Sequence, residues 1–213
     1  MRKLIGGFSV LIGLGLFGTA FAQDVRITQD MSYFEFESAG EFYVIERNQN
    51  QEAVIENSFA KTSRPCPPFC IHAMSAGEGV ETVGELELMD FIDDFVQPGI
   101  GFLVDARTPD WYEKGTIPGS INLPFTLFLE SQDNPFRGPL LTSLGGRRGP
   151  SGTWDFSNAL DLLLFCNGPW CDQSPRAIRA LMEVGYPPER LRYYRGGMQT
   201  WLLLGLTVTV PTF

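Results

Sequence analysis

Leu162-Leu163-Leu164-Phe165-Cys166-Asn167-Gly168-Pro169-Trp170-Cys171-Asp172-Gln173-Ser174-Pro175 reads as a strand, a loop and the start of a helix in one run. Four consecutive apolar residues without polar alternation suit a strand buried on both faces, as in a parallel sheet. Ser174 is a good N-cap, Pro175 suits the first helical position and Gly185 suits the stop, so the pattern predicts a helix over Pro175–Val184. A loop that passes from a strand end into a helix start aims backbone N–H groups inward and adds the positive end of the helix dipole. Cys166 stands at that strand end. The setting lowers a thiol pKa and holds an anion beside it, as thiolate attack on sulfur or phosphorus requires. The bland alternative for Cys166 is a buried small hydrophobe.

The same texture extends on both sides. Phe102-Leu103-Val104 is a second apolar run and ends in Asp105-Ala106-Arg107. Leu191–Tyr194 reads as a third strand, followed by Arg195-Gly196-Gly197 and a short helix over Met198–Leu204. Gly84–Phe95 has Leu86, Met89, Phe91 and Ile92 at helical spacing. Alternating strands and helices predict an α/β fold, an open parallel sheet flanked by helices. Ligands of such sheets bind beyond the carboxyl ends of the strands, where Cys166, the Asp105–Arg107 turn and Arg195 all fall. Asp105 and Arg107 read as a structural pair. Ser131–Ser157, rich in Gly, Pro, Arg and Asn, reads as a long loop or insertion.

The first residues read as a secretory signal. Met1-Arg2-Lys3 is basic, Leu4–Ala22 carries no charge, and Ala20-Phe21-Ala22 predicts cleavage after Ala22. An uncleaved anchor is the competing reading; the glycines Gly6, Gly7, Gly13, Gly15 and Gly18 and the small-residue ending argue for cleavage. Export is therefore expected, to the periplasm if the source is Gram-negative, with no membrane span left after cleavage. Residues 23–78 then read as a small β-rich extension. Tyr33–Glu37 and Glu41–Glu46 alternate around Ser38-Ala39-Gly40, a hairpin, and Ala53-Val54-Ile55 suits a third strand. A hairpin alone is marginal in water, so this piece should pack on the larger unit.

The chain of 213 residues is long enough for a sizeable core, and 44% hydrophobic with 19% charged residues excludes wholesale disorder. Its 16 basic and 25 acidic residues leave −9, which argues against nucleic acid or an anionic membrane as partner. The one histidine, His72, leaves little material for a Ser-His-Asp site or a His-rich zinc site. No metal and no cofactor is expected. Four cysteines are too few for a disulfide scaffold and enough for redox or sulfur chemistry. Cys66 and Cys70, in Cys-Pro-Pro-Phe-Cys, suit a local structural disulfide first, a redox relay to the Cys166 loop second, and a copper(I) site with His72 and Met74 third. Cys171, five residues after Cys166, suits a resolving thiol. A resting disulfide with Cys166, or packing beside Trp170, is the alternative.

Asp105-Ala106-Arg107-Thr108-Pro109-Asp110-Trp111-Tyr112-Glu113-Lys114-Gly115-Thr116-Ile117-Pro118-Gly119-Ser120 resembles the rhodanese signature, Asp-x-Arg followed by Tyr and then Gly-His-Ile-Pro-Gly-Ala. Cys166 falls where rhodaneses place their persulfide cysteine, and Gly196-Gly197-Met198-Gln199-Thr200-Trp201 is similar to their closing Gly-Gly-Met-x-x-Trp. The resemblance covers about Gly79 to Val210 and suggests a division into signal 1–22, extension 23–78 and rhodanese-like domain 79–213. It implies a sulfurtransferase that moves sulfane sulfur through a Cys166 persulfide, taken from a small sulfur-containing donor and passed to a thiol acceptor. Asn167, Gly168, Trp170, Gln173, Ser174, Arg176 and Arg195 are the candidate substrate-binding residues, with Cys171 beside Cys166 in the chemistry. A redox protein is a further candidate partner.

The chain departs from the family in three places. Thr116 stands for the usual His. The loop is long, with seven residues between Cys166 and Ser174, and carries Asp172 and no Lys or Arg. Its first guanidinium is Arg176, in the first helical turn, so a doubly negative donor such as thiosulfate meets a weakly positive pocket. Asp172 also occupies the position where the related phosphatase loop has Arg, which disfavours phosphate. Two other readings stand beside sulfur transfer: a non-catalytic binding module of the same fold, and a thiol–disulfide oxidoreductase using Cys166 and Cys171.

Overall fold

A computed structural model describes residues 24–55, 58–131 and 134–212. The expected signal segment lies outside the described residues. Among them no helix is long and apolar enough to cross a membrane.

The first strands of the described residues form a hairpin, β1 (Tyr33–Ser38) and β2 (Glu41–Glu46), paired antiparallel through a turn in which Ala39 and Gly40 both take positive φ. That geometry matches the natural twist of a two-residue hairpin. Ala53–Ile55 forms no strand: Val54 is exposed, and its neighbours close a turn from Ala53 N–H to the Asn50 carbonyl. Next come β3 (Glu81–Val83), α1 (Glu85–Phe91), β4 (Gly101–Asp105), α2 (Pro109–Tyr112) and β5 (Ile121–Asn122). They are followed by α3 (Arg137–Ser143), β6 (Arg147–Arg148), β7 (Trp154–Asp155), β8 (Asp161–Phe165), α4 (Gln173–Glu183), β9 (Leu191–Tyr194) and α5 (Gly197–Leu203).

Strands β3, β9, β8, β4 and β5 lie in that order in one sheet, every pair parallel. The apolar run Leu162–Phe165 is the middle strand and is fully buried. Each of its four side chains gains roughly 1.5–3 kcal/mol from leaving water. Leu162 and Leu164 face a core closed by Leu140, Leu141 and Leu144 and by Ala177, Ile178 and Leu181 of α4. Leu163 and Phe165 face the other core, closed by Leu88, Met89, Phe91 and Ile92 and by Met198 and Trp201 of α5. Phe36 and Ile45 of the hairpin, and Phe59, complete that second core. The extension therefore shares its hydrophobic interior with the sheet. The chain end also ties it down: Arg47 Nε donates to the Leu204 carbonyl at 2.8 Å and Asn48 N–H to that of Gly205 at 2.7 Å.

Three elements differ from the sequence expectation. Leu86 is exposed and Leu88 is buried in its place: Leu88, Met89 and, at the C-cap, Ile92 form the buried face of α1, and Leu86, two residues before Leu88, falls on the opposite side. The stretch read as a long loop holds α3 and the β6–β7 hairpin. Gly138 and Pro139 hide that helix in the sequence, yet both lie in its first turn, where proline costs no intrahelical hydrogen bond. Helix α4 starts at Gln173, not Pro175, with Asp172 at the cap position. Ser174 does not cap the helix; its hydroxyl turns toward the sulfur of Cys166.

Candidate active site

Cys166 leaves the carboxyl end of the central strand, and its side chain is 1% exposed. Two neighbours hold the loop that follows. Gly197, at positive φ, lies so close that a Cβ there would overlap the Cys166 carbonyl. The start of α5 then clamps the loop: Met198 N–H donates to the Cys166 carbonyl at 3.0 Å and Gln199 N–H to that of Asn167 at 2.9 Å. The Gly-Gly-Met sequence is thus the rest on which the cysteine loop sits.

Within the loop the two thiols face each other. Cys166 Sγ donates to the Cys171 carbonyl at 3.3 Å, and Cys171 Sγ to Gln173 Oε1 at 3.6 Å. Burial pushes the Cys166 thiol up. The Cys171 thiol, the Ser174 hydroxyl and the N–H groups of Ser174 and Gly168, as donors to the thiolate, outweigh that and bring it down from 9.0 to about 7. Donation to Cys166, then burial and the charge of a Cys166 thiolate, push Cys171 far up. Of the two thiols, Cys166 is the one that ionises more readily. The Ser174 hydroxyl is fully buried and makes no hydrogen bond in the structure. Deprotonation supplies its acceptor.

A polar chain ties this pair to the Asp105–Arg107 turn. Arg107 and Asp105, 1% and 0% exposed, form a buried bidentate pair, and Thr116 Oγ1 donates to Asp105 Oδ2 at 2.7 Å. Thr116, in place of the family's His, thus keeps a donor at that position. Arg107 Nη1 donates to Asn167 Oδ1 at 3.4 Å, and Asn167 Nδ2 faces Cys171 Sγ at 3.9 Å. Sequence reasoning set the Asp–Arg pair down as structural and missed this link, since no spacing joins positions 107 and 167.

The structure brings Cys166, Asn167, Gly168, Cys171, Gln173 and Ser174 together. Arg176 and Arg195 make their contacts with other groups. The Arg176 guanidinium lies over the Phe125 ring at 4.5 Å. Arg195 donates to the carbonyls of His72 at 2.9 Å and Ala73 at 3.2 Å. Trp170 faces the extension: the Arg64 guanidinium stands 4.3 Å over its ring, and Phe69 meets it edge-on at 5.5 Å. Arg64, Phe69, Phe59 and Gln199 were absent from the sequence expectation, because segments distant in sequence and without periodicity make these contacts. Cys66 and Cys70 are joined as a disulfide. A cavity of about 1230 Å³ lies between Glu46–Gln51 and Leu202–Val208, and neither thiol lines it. Among the described residues no cluster of His, Cys, Asp or Glu suits a metal ion.

The family model described as the rhodanese-like domain matches residues 86–204. The chain belongs to this family. The rhodanese-like domain begins inside α1 and ends just after α5, so it contains all of the cysteine loop and excludes the extension. A Mycobacterium tuberculosis protein, HTH-type transcriptional regulator Rv0324, is 33% identical over 106 residues, half of this chain and 36% of that protein. The chain thus spans about a third of that relative's length. Among solved structures, a Rhodopseudomonas palustris protein described as a possible tyrosine phosphatase is similar at 20% identity and TM-score 0.44, over 63% of this chain and 88% of its own. Thiosulfate sulfurtransferase from Pseudomonas aeruginosa is similar at 19% identity and TM-score 0.41, over 62% of this chain and 21% of its own.

Proposed function

We propose that this rhodanese-like protein is an exported sulfurtransferase that carries sulfane sulfur on Cys166. One observation supports this above the others: a buried thiol with three donors gathered on it, from the Ser174 hydroxyl and the N–H groups of Ser174 and Gly168, and a second thiol against it. The Cys166 thiolate attacks the outer sulfur of a donor R–S–SH. The Cys166–S bond forms, the donor S–S bond breaks, and RS⁻ leaves with the electron pair. The same donors then stabilise the persulfide anion. Cys171 attacks Cys166 Sγ next, an S–S bond joins the two cysteines, and the outer sulfur departs as HS⁻ with the proton of Cys171. An external thiol acceptor is the other exit for that sulfur. With Arg176 and Arg195 engaged elsewhere, the pocket suits a persulfide of low charge better than thiosulfate. The leader-like Met1–Ala22 supports a site of action outside the cytoplasm.

The test is turnover with glutathione persulfide. The wild type releases sulfide, Cys171→Ser accumulates a Cys166 persulfide, and Cys166→Ser does neither. Equal sulfide release by wild type and Cys166→Ser contradicts the proposal.

A further inference from the structure

The segment Ser58–Ala73 lies across the cysteine loop like a strap and is fixed at both ends. At one end Gln199 Nε2 donates to the Phe59 carbonyl at 2.8 Å, while Gln199 Oε1 accepts from Trp170 Nε1 at 3.3 Å. At the other end His72 N–H donates to the Pro169 carbonyl at 3.0 Å, and Arg195 holds the next carbonyls. Between them Phe69 packs edge-on against Trp170, with the Arg64 guanidinium over both rings at 5.3 and 4.3 Å.

These contacts bring the residues that flank Cys70 against the two that precede Cys171. Phe69 immediately precedes Cys70, and Trp170 immediately precedes Cys171. His72 is two residues after Cys70, and Pro169 is two before Cys171. Exposure falls inward through the four sulfurs. Cys66 is exposed, Cys70 half-buried, Cys171 6% exposed and Cys166 1%. A disulfide whose only task was to brace a surface turn would not need this placement against the one other thiol pair of the chain.

We propose that Cys66–Cys70 is the redox partner of Cys166–Cys171 and passes electrons from an external dithiol protein to the loop. This rests on the sulfur-transfer reading only for the origin of the loop disulfide. Starting from that disulfide and a reduced strap, the Cys70 thiolate attacks Cys171 Sγ. The Cys70–Cys171 bond forms, the Cys166–Cys171 bond breaks, and Cys166 leaves as a thiolate. Attack on that sulfur expels the more acidic thiol, the better leaving group. Cys66 then attacks Cys70 Sγ, closes Cys66–Cys70 and releases Cys171, which takes the proton Cys66 gives up. Two electrons have moved from strap to loop. The product, a strap disulfide above two loop thiols, is the arrangement the structure holds. The external dithiol protein reopens the strap at exposed Cys66 and is itself oxidised.

The experiment traps the middle step. The Cys66→Ser/Cys166→Ser variant retains only Cys70 and Cys171. Under mild oxidation with diamide it is expected to form an intramolecular Cys70–Cys171 disulfide, read as a cross-linked peptide in monomeric protein. The Cys70→Ser/Cys166→Ser variant, with Cys66 and Cys171, is expected to close at least tenfold more slowly. Two free thiols, dimers alone, or equal rates in the two folded variants overturn the relay. Cys66→Ser/Cys70→Ser separates this from failure of sulfur transfer. Its first persulfide loading on Cys166 should match wild type, while repeated turnover with thioredoxin as reductant falls at least tenfold. Unchanged repeated turnover overturns the relay and leaves sulfur transfer standing.

Discussion

The chain holds two cysteine pairs of nearly equal spacing in opposite states. Cys66 and Cys70 sit in a proline-rich surface segment and are bonded. Cys166 and Cys171 sit beneath it as thiols, inside a net of donors that reaches back through Asn167 to Arg107. Spacing alone does not distinguish them. The difference is environmental: donors around Cys166 favour a thiolate over a bond, and their cost is met by the packed sheet below. The strap pair draws on no such core and is built where a partner can reach it.

That contrast breaks most severely at Arg107. Arg107→Met leaves Asp105 buried without its partner and is expected to lower stability by about 3–5 kcal/mol in a denaturant melt. It should leave the strap disulfide able to form, as non-reducing peptide mapping would show. A destabilisation under 1 kcal/mol would mean that the pair contributes little to holding the loop.

The pH dependence of stability comes next. The folded pKa of Cys166 lies below the unfolded one, so its contribution is full above pH 9 and is lost as pH falls through about 7. Stability should therefore gain somewhat under about 2 kcal/mol between pH 7 and 9, most of what that depression is worth. Cys171 works in the opposite sense, since its raised pKa withdraws stability above pH 9. Cys166→Ser should abolish the gain between pH 7 and 9, and an unchanged slope in that variant would assign it to other groups. Removing the strap disulfide with Cys66→Ser/Cys70→Ser should cost about 2 kcal/mol, the entropy of a five-residue closure. The Cys166 alkylation profile should not move in that variant, and a shifted profile would mean that the strap also tunes the thiolate.

Ser174→Ala gives the smallest change and the sharpest. The hydroxyl makes no hydrogen bond in the structure, so the variant should lose no stability at pH 5. It should raise the midpoint of the pH–alkylation curve of Cys166 by about one unit, or about 1.4 kcal/mol. A midpoint that stays put would remove Ser174 from the site.

The middle of the sheet was legible because Phe102–Val104 and Leu162–Phe165 are unbroken apolar runs, the latter announcing both the central strand and the place of Cys166, whereas the short edge strands Glu81–Val83 and Ile121–Asn122 carry no such run. The cysteine loop, with Asn167, Gln173 and Ser174 around the thiols, was legible for the same reason. Arg176 and Arg195 were not, since a guanidinium on a long side chain reaches any of several partners, here Phe125 and the carbonyls of His72 and Ala73. The strap was opaque because its contacts pair residues about a hundred positions apart with no period to reveal them. Helix α3 was hidden by Gly138 and Pro139, which penalise a helix interior but not a first turn.

The most direct measurement locates the transferred sulfur. Fully reduced Cys171→Ser protein, which cannot resolve the persulfide, is mixed with one equivalent of glutathione persulfide, alkylated within seconds and mapped by fragmentation of its cysteine peptides. One added sulfur on Cys166, absent from the Cys66 and Cys70 peptide, is the predicted result. Added sulfur on Cys66 or Cys70 with none on Cys166 would contradict the account, as would no added sulfur on any cysteine.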